Sequence, residues 1–215
     1  MARVRRGTLS RERVVEAAVA LLDRGGPLTM SAVAAELGAQ QMSIYNYVSG
    51  KSDLLYAVED HLLTAIPLPG PGAGTDGLAE LLRAYFRLVS AHPWLVGFAI
   101  EREREGSTPA NLRIVEAAYA VLFRLGLTPR DAVPLFSALV NLVVGAAVQH
   151  ADLRERGVRG EMRAQISALP EAEFPALARL AADLPETSPA DAVELGLKAL
   201  LHGLGTVPDA DGGTG

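Results

Sequence analysis

The sequence predicts an all-α fold in two parts: a small N-terminal three-helix unit containing a helix-turn-helix, and a larger helical body behind it. Three observations lead there. Of 215 residues, 49% are hydrophobic but only 5% aromatic, with Ala and Leu dominant, a composition of helix formers rather than strand formers. Apolar residues recur at three- and four-residue spacing along most of the chain, with no persuasive strand and no internal repeat. Gly and Pro punctuate that pattern, most heavily at Pro67-Leu-Pro-Gly-Pro-Gly-Ala-Gly, the expected domain boundary.

Residues 1–9 are a basic arm, expected to lack structure without a partner. Ser10 is a good N-cap, and Arg13 three residues on means there is no capping box. Val14, Ala17, Ala18, Leu21 and Leu22 share one face of the first helix, which Gly25-Gly26-Pro27 stops. Met30, Val33, Ala34 and Leu37 then sit at i, i+3, i+4 and i+7, and Gly38 can take the left-handed conformation that ends a helix. Ile44 and Val48 form the next apolar pair. Gln40, Gln41, Met42, Ser43, Tyr45, Asn46 and Tyr47 are left outside; none is acidic, and most can donate hydrogen bonds. This is the pattern of a helix-turn-helix whose second helix enters a DNA major groove. Ser49-Gly50 breaks the chain, and a fourth helix from Lys51 buries Leu54, Leu55, Val58 and Leu62.

The body follows the same logic. Leu78, Leu81, Leu82, Tyr85, Phe86 and Val89 mark a fifth helix ending near His92-Pro93, and Trp94 to Glu105 a sixth. Thr108-Pro109 starts a seventh, with Pro at the tolerated first position, and Gly126 ends it. Thr128-Pro129 repeats the signal for a long eighth helix of roughly 28 residues, about 42 Å. Residues 157–169 are ambiguous; Glu171 to Leu184 reads as a helix; Ser188-Pro189 opens the last one. The Gly/Asp-rich tail 206–215 is expected to be disordered. The eighth and last helices are apolar on more than one side, which calls for a second surface such as a dimeric bundle, and Gly145-Ala146-Ala147 permits close approach.

The net charge of −5 looks wrong for a DNA partner until it is divided. Residues 1–55 hold seven basic against five acidic residues, a net +2, leaving −7 for the remainder. With no cysteine there is no disulfide, thiolate nucleophile or cysteine metal site. No uninterrupted apolar run reaches the ~18–20 residues of a membrane span, and no signal peptide follows the N-terminal arginines. A cytoplasmic protein without membrane association is expected.

Three short helices with a helix-turn-helix, then a fourth beginning at Lys51, resemble the TetR family of one-component transcriptional regulators. The match rests on Leu28-Thr29, Ala32 to Gly38, Ser43-Ile44-Tyr45-x-Tyr47-Val48 and Lys51-Ser52-Asp53-Leu54-Leu55. Beyond residue 70, Leu112, Glu116, Gly126-Leu127 and the long eighth helix look like the tetracycline-repressor-type C-terminal domain. The resemblance implies a DNA-binding domain at 10–66 and a helical ligand-binding and dimerisation domain at 74–205. It also implies a homodimer, most simply a repressor, that holds a palindromic double-stranded operator and releases it when a small-molecule effector binds.

The DNA-facing candidates are then specific. Gln41, Met42 and Ser43, with Gln40 beside them, open the recognition helix. Gln pairs bidentately with adenine, Ser bonds several bases, and Met touches a thymine methyl. No Arg or Lys lies on this helix, so the commonest guanine contact is missing, and readout through shape is a real alternative. Tyr45 and Tyr47 match family positions that contact phosphate, Tyr47 standing where many relatives have His. Because Ile44 and Val48 fill the inward face, at least one tyrosine must point outward. Thr29 and Ser31 suit phosphate contact, capping, or both. Lys51 opens a helix, a poor place for a cation unless an anion lies nearby. Arg3, Arg5 and Arg6 fit either DNA contact or a solubilising tail.

For the effector the candidates are Phe86, His92, Trp94, Phe98, Tyr119, Phe123 and Asn141, on helices that surround the ligand in the family, and His61 near the presumed hinge. Each also fits an ordinary core, and the Asn141 amide needs a partner, whether ligand or backbone. Such a pocket implies a hydrophobic or aromatic molecule. No catalytic residue, metal site or cofactor is expected: the histidines are scattered, and no Gly-x-Ser-x-Gly elbow or glycine-rich phosphate loop occurs. The rival readings are a small all-helical enzyme or ligand carrier on the same fold, and a protein-interaction module. Salt-dependent binding to duplex DNA separates them from a regulator.

Overall fold

A computed structural model describes residues 9–97, 106–156, 164–180, 188–202 and 204. Among these, nine helices carry the fold: α1 (Arg11–Asp23), α2 (Met30–Leu37), α3 (Gln41–Ile44), α4 (Lys51–Thr64), α5 (Thr75–Ala91), α6 (Pro109–Arg124), α7 (Pro129–Arg156), α8 (Pro175–Leu180) and α9 (Pro189–His202). Short helical turns occur at 95–97 and 164–167. Of the helix expected from Trp94 to Glu105, residues 98–105 lie outside the described residues, as do Arg3, Arg5, Arg6 and the tail from 206.

Side chains at the helix starts explain why the punctuation was readable. The Ser10 hydroxyl accepts the Arg13 N–H at 3.3 Å, and Thr29 accepts the Ala32 N–H at 3.1 Å. The three Ser/Thr-Pro starts share a form in which Pro occupies the first helical position and a polar residue follows two places later. At the last of them, Ser188 donates its N–H and hydroxyl to the Asp191 carboxylate at 2.6 and 2.7 Å. Asp191 returns its N–H to the Ser188 hydroxyl at 3.3 Å. Those bonds satisfy donors that no helix can satisfy internally.

Two compact units form. The first comprises Met1–Ile66 with Trp94–Val115. In it α1 packs on α2 and α4, and α2 on α3, burying Val14, Ala18, Val33, Ile44, Val48, Leu54 and Val58 almost completely. The second comprises Pro67–Pro93 with Glu116–Gly215, and in it α7 packs against α5 and α9. Leu78, Leu81, Leu82, Leu122, Leu139, Val143 and Leu197 fill that core. Each such side chain, taken from water, stabilises by about 1.5–3 kcal/mol. The linear boundary expected at 66–74 differs from this division in one respect: residues 94–115 join the first unit although they follow α5 in sequence.

Two further expectations need correction. The helix read from Glu171 begins instead at Pro175, after a turn at 171–173. A proline disfavours helical conformation in the residue before it, so Pro175 sets the start. Residues Pro129–Ala151 of α7 are, by length and composition, apolar enough to cross a membrane, with mean hydropathy 1.8. Interspersed polar residues break this stretch, so it is not an uninterrupted apolar run. The packing on α5 and α9 gives this helix a role in a core. Val133 and Val148 of α7, and Leu195 and Leu200 of α9, nevertheless remain exposed on the chain.

Candidate nucleic-acid interface

The turn between α2 and α3 is built by one residue. Gly38 closes α2 at φ +60° and ψ 33°, the left-handed region where a Cβ is strained. The N–H of Ala39 returns to the Ala34 carbonyl at 2.9 Å, locking the chain reversal. From there Gln40, in extended conformation, leads into α3 without a side-chain cap, and the Ser43 N–H reaches the Gln40 carbonyl at 2.9 Å.

The short α3 is anchored by Ile44 at its end and by Val48 just beyond it. Ile44 is fully buried and Val48 nearly so, which turns the rest outward. Gln40, Gln41, Asn46 and Met42 are exposed, Met42 at 74%, and Tyr45 at 43%; Ser43 is half-buried. The result is a contiguous uncharged surface of amides, a hydroxyl, a thioether and a phenol. Thr29 and Ser31 are exposed at the start of α2, with their hydroxyls 3.1 Å apart. Lys51, exposed, opens α4. These residues all belong to the first unit.

Tyr47 departs from expectation. Its hydroxyl donates to the Leu9 carbonyl at 2.8 Å, inside the unit, so its donor is not directed outward as Tyr45 is. That bond holds the residue next to the basic arm against the end of the recognition element. Arg11 reinforces it, donating from Nη1 to the Tyr47 carbonyl and from Nη2 to Asp53 Oδ1, both at 3.0 Å. The other carboxylate oxygen of Asp53 accepts the Ser49 N–H at 2.8 Å. First the Ser49 N–H and then the Arg11 guanidinium hold the Asp53 carboxyl below its ordinary value, against the opposing effect of partial burial. Arg11 and Asp53 were not anticipated as site residues. They lie 42 positions apart, and no local sequence signal reports such a pairing.

The effector candidates fall in both units. His61 and Trp94 belong to the first unit, whereas Phe86, His92, Tyr119, Phe123 and Asn141 belong to the second, and Phe98 lies outside the described residues. Trp94 donates its Nε1–H to Asp23 at 2.8 Å. His61 is exposed beside a cavity of about 510 Å³ that Tyr56, Asp60 and Thr64 also line. In the second unit Phe86 meets His150 edge to face at 6.1 Å, and Tyr119 contacts Phe123 at 5.9 Å and Phe136 at 5.1 Å between ring centroids. Phe136 and His150, both on α7, complete these two separate contacts and are not among the effector candidates of the sequence. Asn141 is exposed on the chain, as is Phe123. A second cavity, of about 540 Å³, mixes charged side chains with Leu195, Leu197 and Leu201, and at it Arg83 grips Glu194 through two bonds of 2.7 and 2.9 Å. Among the described residues no group of three or more His, Asp or Glu side chains is placed to hold a metal ion.

Comparison with known proteins shows what the chain is similar to. The family model described as "Tetracyclin repressor-like, C-terminal domain" matches residues 66–207. The HTH-type transcriptional repressor DrrR1 of Streptomyces coeruleorubidus is 33% identical over 92% of this chain and 77% of its own length. An HTH-type transcriptional regulator of Saccharopolyspora erythraea is also 33% identical, over 79% of this chain and 74% of the relative. Among solved structures, the TetR family protein ActR of Streptomyces coelicolor in complex with actinorhodin superimposes with a TM-score of 0.76. It shares 29% identity and covers 92% of this chain and 96% of that one.

Proposed function

The chain belongs to the TetR family of transcriptional regulators, and from that premise we propose that it is a homodimeric repressor reading a palindromic operator through paired copies of α3. The observation that carries this is the uncharged face of exposed Gln40, Gln41, Met42 and Tyr45 with half-buried Ser43, held outward by the burial of Ile44 and Val48. Gln41 and Ser43 supply hydrogen bonds to base edges and Met42 a contact for a thymine methyl. Thr29, Ser31, Tyr45 and Lys51 supply phosphate contacts, which fix register and carry no sequence information. Tyr47 is reassigned to positioning, because its hydroxyl already serves Leu9. Arg3, Arg5 and Arg6 precede Leu9 in the sequence and are proposed to add positive charge toward DNA.

Dimerisation is the proposed reason for the exposed apolar side chains of α7 and α9, Val133, Val148, Leu195 and Leu200. By analogy with the actinorhodin complex of ActR, a small molecule binding the second unit is the proposed effector. The separate aromatic contacts of Phe86 with His150, and of Tyr119 with Phe123 and Phe136, favour a hydrophobic or aromatic compound. The effector acts by binding the DNA-free form more tightly, and a difference of about 1–3 kcal/mol suffices. A DNA target places the protein in the cytoplasm.

The test is direct. A duplex selected by the protein from a random library serves as the probe. The triple variant Gln41→Ala, Ser43→Ala, Tyr45→Ala should keep the parental helix content and melting temperature while losing at least about 100-fold in affinity, the sum of several contacts worth roughly 1–3 kcal/mol each. Parental affinity in the folded variant would remove the recognition role of α3.

A further inference from the structure

The helix α6 (Pro109–Arg124) belongs to both units: its first seven residues, to Val115, pack in the first unit, and the remainder belong to the second. The helix has 16 residues, a length of about 24 Å, and its start lies in the first unit.

That start is unusually complete. The first turn of a helix leaves its N–H groups without internal partners. Here Pro109 has none to satisfy. Asn111 donates to the hydroxyl of Thr108 at 3.2 Å, and Leu112 to the Thr108 carbonyl at 2.9 Å. Thr108 itself is fully buried. The remaining donor, the N–H of Ala110, goes to Asp60 Oδ1 at 2.8 Å, across 50 positions of sequence. A carboxylate in α4 thus finishes the cap of α6. A local cap would have left α6 independent of α4; this one does not. Tyr56, one turn earlier on the same face of α4, reaches the Ser107 carbonyl at 3.5 Å, just ahead of the cap.

Resting on the regulator reading above, we infer that Asp60 is the positioning residue that makes α4 and α6 move together, so that operator occupancy and the state of the second unit are linked through its bond to Ala110. Because coupling between two sites is reciprocal, DNA alone must reveal it, and no effector need be known.

The experiment is hydrogen exchange on the full chain, with and without the selected duplex. In the parent, the duplex slows exchange of the Ala110 amide and, in step with it, of residues 116–124. Asp60→Ala removes the acceptor. It should bind the duplex within about threefold of the parent, while the slowing at 116–124 shrinks about fivefold, the size of a lost helix cap. Asp60→Asn keeps a carbonyl acceptor and should restore that slowing, which a purely electrostatic or structural role for the carboxylate would not require. Parental slowing at 116–124 in Asp60→Ala overturns the inference. If that variant does not fold, the parent decides: an Ala110 amide indifferent to the duplex, with 116–124 responding, overturns it equally. Should selection retain no duplex at all, the regulator reading falls and takes this inference with it, an outcome visible before any variant is made.

Discussion

Asp53 shows how one side chain serves both stability and recognition. It accepts the Ser49 N–H and the Arg11 guanidinium, and through Arg11 it holds the Tyr47 carbonyl. Its folded pKa lies below the ordinary value, so its contribution is present above that value and is lost as pH falls through the folded pKa. Glu80, lowered chiefly by Arg87, and Glu194, lowered chiefly by Arg83, titrate with the same sign. The informative quantity is therefore the difference between parent and Asp53→Asn. Thermal unfolding followed from about pH 6 to 3 should show the parent losing its advantage below about pH 4; an advantage constant over that range would contradict the clamp. Gly38 makes the complementary case. Nothing crowds a Cβ there, so Gly38→Ala should cost about 1 kcal/mol through backbone strain alone, read from urea unfolding. Gly38 was legible because its role is local. The inward turn of Tyr47 was not, because Leu9 reaches it from 38 positions away.

At the scale of elements, sequence spoke most clearly where a helix starts or stops. Ser10, Thr29 and Ser188 cap the helices that their spacing announced. It spoke least clearly where prolines compete, as at Glu171 and Pro175, and where a cap comes from another helix, as Asp60 does for α6. The recognition element is the smallest and the most exposed to damage. Four residues make too short a helix to stand alone, so α3 owes its shape to the burial of Ile44. Ile44→Ala should destabilise the protein by about 2–5 kcal/mol. It should also weaken duplex binding further than the loss of folded protein explains, as measured by denaturant unfolding and titration side by side. A change below about 0.5 kcal/mol would mean that α3 is held by something else.

For the whole molecule, the charge division and the exposed apolar residues point to two different surfaces. The first 55 residues carry the positive excess, and the remainder is acidic, so the proposed DNA binding, driven by counterion release, is assigned to that N-terminal segment. Val148 and Leu195, the latter 70% exposed, lie on helices of the second. Sedimentation should give a dimer for the parent and a monomer for Val148→Glu with Leu195→Glu; a parent that stays monomeric at micromolar concentration would leave those side chains without a cover. The all-α class, the order of the helices and the outward face of α3 were legible because they follow from periodicity and punctuation. The joining of 94–115 to the first unit was not, since a chain that returns to an earlier unit leaves no periodic trace. The measurement that bears most directly on the central claim is selection of duplexes from a random library, followed by sequencing of the retained pool. Two inverted half-sites about one helical turn apart, bound with a steep loss of affinity as salt rises, are the expected result. A pool with no enriched sequence, or with one unrepeated half-site bound equally well by the α3 triple variant, would contradict it.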